Sequence, residues 1–259
     1  MIDPPHSLYK QSWAPSDMRG GGSVNADGFG VGWYPAAEGQ PSGASDPSSS
    51  ILASSGSAGA GGREEPVRYR RNVPIWADEN LPGLARSIRS GAVLASVRNG
   101  TTGMPLGEGA AGPFVHGRWL FSHNGMIRGW PGSLTKLAEG LPVTDLLTLD
   151  APVDSALLWA LVVQQLAAGV PAADAVAGVV QKVEEAAPGS RLNILLTDGE
   201  QLVATTWTHS LWVRQTDDSV AVSSEPWATD DPTWKELPDH TLLTATRYSC
   251  STTPMEGRQ

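Results

Sequence analysis

The sequence predicts an antiparallel α+β layered fold, and three observations carry that expectation. Short strand-like runs outnumber helical ones. The helices fall in adjacent pairs and do not alternate regularly with strands. Asp198-Gly199 joins two strand-like runs in the manner of a hairpin turn. A doubly wound parallel sheet would need a crossover helix between successive strands, which this chain does not offer.

Taken in order, Phe29–Tyr34 and Val67–Arg71 read as strands. Residues 35–62 between them are dominated by Ala, Gly, Ser and Pro. Such a composition cannot bury enough apolar surface to offset its ordering entropy, so the stretch is expected to be a flexible insert that lengthens a hairpin. The Arg68, Arg70, Arg71 cluster is expected at the solvated end of the second strand. Leu81–Arg89 reads as a short helix, Ala92–Val97 as a buried strand, and Arg118–Ser122 as a strand ending in His123-Asn124-Gly125. Asp154–Ala168 is almost wholly apolar, which predicts a helix covered on several sides. Ala172–Ala187 places Ala172, Val176, Val179, Val180, Val183 and Ala187 on one stripe, with Pro171 near its start. Strands follow at Leu192–Thr197, Gln201–Thr206, Leu211–Arg214, Val220–Ser223 and Thr241–Thr246, and Ser249–Thr253 reads as a polar tail.

The 259 residues, 40% hydrophobic and 17% charged, suit one globular domain spanning 1–259. A formal charge of -9 without a basic block argues against nucleic acid as a partner. No apolar run is long enough to span a bilayer, and the start has no basic and apolar leader, so no membrane partner and a cytoplasmic location are expected. One cysteine excludes an internal disulfide and a multi-cysteine metal site. The five histidines show no ligand spacing, so neither a metal nor another cofactor is expected. Cys250 sits in polar sequence with nothing nearby to lower its pKa, which disfavours a nucleophilic role. Gly107–Gly112 spells a dinucleotide fingerprint, yet it follows no strand and runs into Pro113; it is expected to be a flexible loop. Gly28-Phe29-Gly30-Val31-Gly32 reads as a strand that needs close backbone approach.

Four segments together carry chemistry: Asn25-Ala26-Asp27-Gly28-Phe29-Gly30, Val97-Arg98-Asn99-Gly100-Thr101, Phe121-Ser122-His123-Asn124-Gly125 and Val153-Asp154-Ser155. A γ-glutamyl group is a zwitterion, so its recognition wants one fixed cation and one fixed anion. Arg98 at a strand end offers a planar fork for the α-carboxylate. Asp154 at a helix start could hold the α-ammonium. The Asn124 side-chain amide beside the Gly125 backbone N–H makes a donor pair for a tetrahedral oxyanion, and glycine there allows close approach. Each signal alone has an ordinary structural explanation: a turn, an ion pair or an N-cap.

In this order and spacing, and with Ser223-Ser224-Glu225-Pro226 after them, the segments resemble the glutaminase domain of class II glutamine amidotransferases over nearly the whole chain. The resemblance implies a four-layer αββα sandwich of the N-terminal-nucleophile hydrolase type and a cysteine nucleophile at residue one. It casts Asn124 and Gly125 as the oxyanion hole, Arg98, Thr101, Gly125 and Asp154 as the surroundings of the glutamyl group, and Asn25 and Asp27 as support. A narrower resemblance, to the amidohydrolases of ergothioneine biosynthesis, rests on Asp3-Pro4-Pro5-His6-Ser7-Leu8, Gln11-Ser12-Trp13-Ala14-Pro15, Asn25–Tyr34 and Thr101-Thr102-Gly103-Met104-Pro105. It implies a stand-alone hydrolase acting on γ-glutamyl-hercynylcysteine S-oxide, a small-molecule substrate. A glutaminase subunit feeding ammonia to a synthase, and a non-catalytic γ-glutamyl-binding protein, are the alternatives.

Such proteins begin Met-Cys, whereas this chain begins Met1-Ile2. The expectation is that a segment of about twenty residues, with the nucleophile and a first central strand, is missing and that the start was assigned late. A chain starting at Met1 is then expected to show no hydrolysis. Losing a central strand removes three or four large buried side chains at about 1.5–3 kcal/mol each, against a net stability of about 5–15 kcal/mol.

Overall fold

A computed structural model of the protein describes residues 7–16, 24–35, 65–101, 103–228 and 230–256. The expected insert at 35–62 lies outside the described residues except for Pro35, as do residues 3–6 and Thr102 of the quoted motifs. In chain order the elements are α1 (Leu8–Gln11), β1 (Phe29–Pro35), β2 (Val67–Arg71), α2 (Leu81–Ser87), β3 (Ser90–Val97), β4 (Phe114–His116), β5 (Trp119–Met126), α3 (Thr135–Ala138) and α4 (Val143–Leu147). There follow α5 (Asp154–Ala167), α6 (Ala172–Ala186), β6 (Arg191–Thr197), β7 (Gln201–Thr206), β8 (Trp212–Gln215), β9 (Val220–Ser223), β10 (Trp234–Glu236), β11 (Thr241–Thr246) and β12 (Cys250–Pro254). Among the described residues, no helix is long and apolar enough to cross a membrane.

All pairings are antiparallel, in a six-stranded sheet of order β12-β11-β7-β6-β5-β4 and two three-stranded sheets of orders β2-β1-β3 and β10-β8-β9. Side chains alternate across each strand, so every sheet has two faces to cover. On the six-stranded sheet, Leu192, Ile194, Leu196 and Val203 face α5 and α6, meeting Leu158, Val162, Val176, Val180 and Val183. The apolar stripe of α6 is thereby buried, and α5, buried from Ala156 to Trp159 and again at Leu161 and Val162, is enclosed as its composition predicts. Trp159 stacks on Phe121 at 5.0 Å and fixes α5 against β5.

The opposite face of the six-stranded sheet receives both small sheets. Tyr34 and Leu94 pack on Leu120 and Leu195, while Val213 and Leu211 pack on Ala204, Leu243 and Ala245. The outer face of β2-β1-β3 is covered by Leu81 of α2, by Ile75 and by Tyr9 of α1, which meet Phe29, Val31 and Trp33. Helix, sheet, sheet and helix form the four-layer αββα arrangement. The glycine-alternating strand β1 makes the two sheets meet closely. A Cβ at Gly30 would run into the Gly112 carbonyl oxygen, and one at Gly32 would sit 2.7 Å from both δ carbons of Leu120.

Several local expectations need correction. Arg68 and Arg70 are not a solvated strand end: both pair with Asp150, at 3.2 and 2.8 Å, and Arg70 also donates to the Gly109 and Ala111 carbonyls. Arg70 thereby ties β2 to the Gly107–Gly112 segment, which is a packed turn with Ala110 and Ala111 buried instead of a flexible loop. The strand at Ala92–Val97 is only half-buried: Leu94 is buried, Val93 is exposed and the other four residues lie between. Ser249–Thr253 is no tail: Cys250–Pro254 forms the edge strand β12, registered on β11.

Candidate active site

Arg98 follows the last residue of β3, and the β1–β3 ladder runs one step past the strand to hold it. Its N–H donates to Gly28 O at 2.8 Å, and its carbonyl accepts Asp27 N–H at 2.9 Å. The Asp27 carboxylate then accepts Gly100 N–H at 2.8 Å, closing the turn that leads to Thr101. Gly100 has no side chain to displace the guanidinium, since a Cβ there would lie 3.0 Å from Arg98 Nη1. Burial lowers the Arg98 guanidinium below its ordinary value, while Asp27 and Asp154 both lie close enough to push it back up. Arg98 Nη1 is a buried N–H with no hydrogen-bond partner among the described residues. A buried donor in that state is costly, and a carboxylate brought to it would satisfy it.

On the six-stranded sheet, β5 does not end at the His-Asn-Gly triplet but continues through it. Asn124 lies opposite Asn193 and Gly125 opposite Leu192. The Asn124 side chain is exposed and makes no hydrogen bond to a described residue. Gly125 has to be glycine here, because a Cβ would run into the Arg191 carbonyl and come within 2.7 Å of His123 Nε2. The neighbouring layers bring the two strand ends together. Ser96 of β3 and Ser122 of β5 both border Gly112, and Arg98 and Asn124 stand two residues beyond them.

Asp154 opens α5 and is 5% exposed. Its Oδ1 accepts Ser155 N–H at 2.8 Å and its Oδ2 accepts Ile127 N–H at 3.2 Å, so the carboxylate clamps the helix start to the end of β5. Ser155 Oγ also lies 3.4 Å from Oδ1, and Oδ2 keeps acceptor capacity beyond its one bond. Arg98, Asp27, Asp154, Asn124 and Gly125 are thus gathered at one edge of the sandwich. Asn25 stands further back: its N–H donates to Ser12 O at 2.6 Å and its side chain to Gln11 O at 3.4 Å, which docks α1 beside Asp27. Thr101 is exposed, and its carbonyl accepts Met104 N–H at 3.0 Å.

Two residues of the site escape sequence reasoning. His123 reads as an ordinary histidine, yet its Nε2 donates to Arg191 O at 2.9 Å and its Nδ1 stands 3.0 Å from Ser155 Oγ. With Nε2 carrying the proton, Nδ1 accepts from the serine hydroxyl. Asp154, Ser155, His123 and Arg191 thus brace the strand end that carries Asn124 and Gly125. The Asp-Ser pair and the His-Asn-Gly triplet are both visible in the sequence, but nothing local says that they meet.

Cys250 is remote. It lies on β12, four strands from β5, about 19 Å at the usual strand spacing, and burial raises its thiol pKa. Among the described residues, no group of three or more His, Cys, Asp or Glu side chains is placed to hold a metal ion.

Comparison with known proteins gives a consistent result. Residues 76–217 match the family described as class II glutamine amidotransferases. The gamma-glutamyl-hercynylcysteine sulfoxide hydrolase of Mycolicibacterium smegmatis is 34% identical over 257 residues, covering 98% of this chain and 92% of that one. The protein of the same name from Mycobacterium tuberculosis is 32% identical, covering 99% and 90%. Among solved structures, a glutamine aminotransferase class-II domain protein from Silicibacter pomeroyi is similar with a TM-score of 0.61 and 25% identity, covering 89% of this chain and 92% of that chain.

Proposed function

The chain belongs to the class II glutamine amidotransferase family, and from that premise we propose that it serves hydrolysis of a γ-glutamyl amide. The substrate is γ-glutamyl-hercynylcysteine S-oxide, the compound for which both mycobacterial relatives are named, split by water into glutamate and hercynylcysteine S-oxide. The observation that carries the proposal is the buried, unpartnered Nη1 of Arg98, whose guanidinium feels the charges of Asp27 and Asp154.

In this scheme the Arg98 guanidinium pairs with the α-carboxylate, and Asp154 receives the α-ammonium. Asp27 braces Arg98 through the Gly100 turn, Asn25 seats α1 behind it, and Thr101 borders the glutamyl group. The scissile carbonyl lies over Gly125, where the absent side chain lets backbone and substrate meet. As the carbonyl becomes tetrahedral, Asn124 Nδ2 and the Gly125 N–H share its negative charge; losing one such donor costs about 2.7–4 kcal/mol of catalysis. Attack on the carbonyl is not assigned to Cys250, whose distance and raised thiol pKa disqualify it.

Calorimetric titration with γ-glutamyl-hercynylcysteine S-oxide and with glutamine, alongside an assay of glutamate release, tests the scheme. Binding of the former compound, tighter than glutamine and lost in Arg98→Gln, supports γ-glutamyl recognition. Glutamate release then separates the hydrolase from the binding protein. Equal affinity for both compounds, or affinity untouched by Arg98→Gln, overturns the assignment.

A further inference from the structure

A pocket of about 600 Å³ lies on the small sheet β10-β8-β9, within the size range of small-molecule sites. Register explains its lining. Trp212 is opposite Glu236, and Trp234 opposite Arg214, so these four side chains share one face while Val213 and Val222 pack inward. Trp234 is buried and set edge-on against Trp227, with ring centroids 5.2 Å apart, so its orientation is fixed.

The pocket is acidic as well as aromatic, with Glu225, Asp230, Asp231 and Glu236 in its wall. Asp231 is occupied by Thr233 and Arg214, whereas the carboxylates of Asp230 and Glu236 have no ion-pair or hydrogen-bond partner among the described residues. Two chains of contacts run from the pocket toward the glutamyl site. Ser210, in its wall, accepts from Asn193, the cross-strand neighbour of Asn124. Glu225 accepts Ser16 N–H at 2.9 Å and, through its carbonyl, the side chain of Gln11, which in turn holds Asn25.

We propose that this pocket receives the cationic half of the leaving group, a quaternary ammonium, with Trp212 and Trp234 as its aromatic walls and Glu236 and Asp230 as its counter-charges. The proposal rests on the γ-glutamyl reading above. A quaternary ammonium has no N–H to donate, so it is recognised by aromatic faces and diffuse negative charge, and this wall supplies both. A metal ion would instead need converging ligands, and no such group exists among the described residues. The hercynyl moiety carries a trimethylammonium group, whereas glutamine has nothing to place here. The pocket therefore gives the protein a means of preferring the larger amide.

The full chain is titrated with γ-glutamyl-hercynylcysteine S-oxide, with its analogue bearing an unmethylated amine, with glutamate, and with hercynine alone read by tryptophan fluorescence. The methylated compound is expected to bind about tenfold more tightly than the unmethylated one. Trp212→Leu and Glu236→Gln are each expected to erase that difference while glutamate binding persists. Glu236 is exposed on an edge strand, so its variant tests the pocket without threatening the fold. Hercynine binding that depends on Trp212 upholds the pocket even where the γ-glutamyl compounds fail to bind, which would overturn only the γ-glutamyl reading. Binding that depends on Arg98 without preference for the methylated compound overturns the pocket alone.

Discussion

Asp154 Oδ2 accepts the backbone N–H of Ile127 at 3.2 Å, so the first carboxylate of α5 holds the strand end that presents Asn124 and Gly125. Substitution should therefore separate two roles. Asp154→Asn keeps an acceptor but loses the charge, and should weaken γ-glutamyl binding about tenfold or more with a stability loss of about 1 kcal/mol. Asp154→Ala also abandons the buried Ile127 N–H, and should cost about 1–3 kcal/mol of stability in denaturant melts.

Arg98→Lys preserves the charge but not the fork. A lysine ammonium cannot pair bidentately with a carboxylate, so calorimetry should show a loss of about 1.5–3 kcal/mol in γ-glutamyl affinity. An affinity equal to wild type would remove Arg98 from the site.

Gly125→Ala forces a methyl group into the Arg191 carbonyl and toward His123 Nε2. Backbone is the obstacle, so β5 and β6 must part locally. Thermal melts should show a stability loss of about 1–3 kcal/mol.

The Asp198 carboxyl sits below its ordinary value of 3.8. Burial alone would raise it, but the N–H groups of Gln201 and Glu200, the Gln201 side chain and the Arg118 guanidinium outweigh burial. The unfolded chain is therefore protonated first as pH falls. The stabilisation is complete above the unfolded value and drains away as pH passes down through the folded one. Between about pH 5 and pH 2, the Tm of wild type should fall more steeply than that of Asp198→Asn.

Cys250→Ser should leave γ-glutamyl binding unchanged, because the thiol lies on the far edge of the sheet. A change in affinity would mean that β12 communicates with the site.

What the sequence reveals follows from how local each signal is. The stripe of α6 and the alternation in β11 are repeated within the element, and their bounds, like those of β7 and β9, fall within a residue or so of expectation. β4 and β10 have three residues each, too few to establish a period. β12 is a polar edge strand with little to bury, so its sequence reads as a tail. Arg68 and Arg70 find Asp150 some eighty residues away, and no local pattern announces that pairing. The site divides in the same way. Arg98, Asp154 and the Asn124–Gly125 pair stand out as residue types at element ends, whereas the bond between His123 and Ser155 belongs to tertiary packing.

Tyr34 reaches from β1 across the interface between the sheets, and its hydroxyl lies 2.8 Å from both the Arg118 and Thr197 carbonyls. One rigid phenol therefore works as a dowel between the leaves of the sandwich and blocks their sliding past each other. Arg98 hangs from one leaf and Asn124 from the other. The span between the two groups proposed to hold the substrate and its reacting oxygen is thus fixed by the fold itself, and on that proposal an amide of the wrong length meets a gauge that does not adjust.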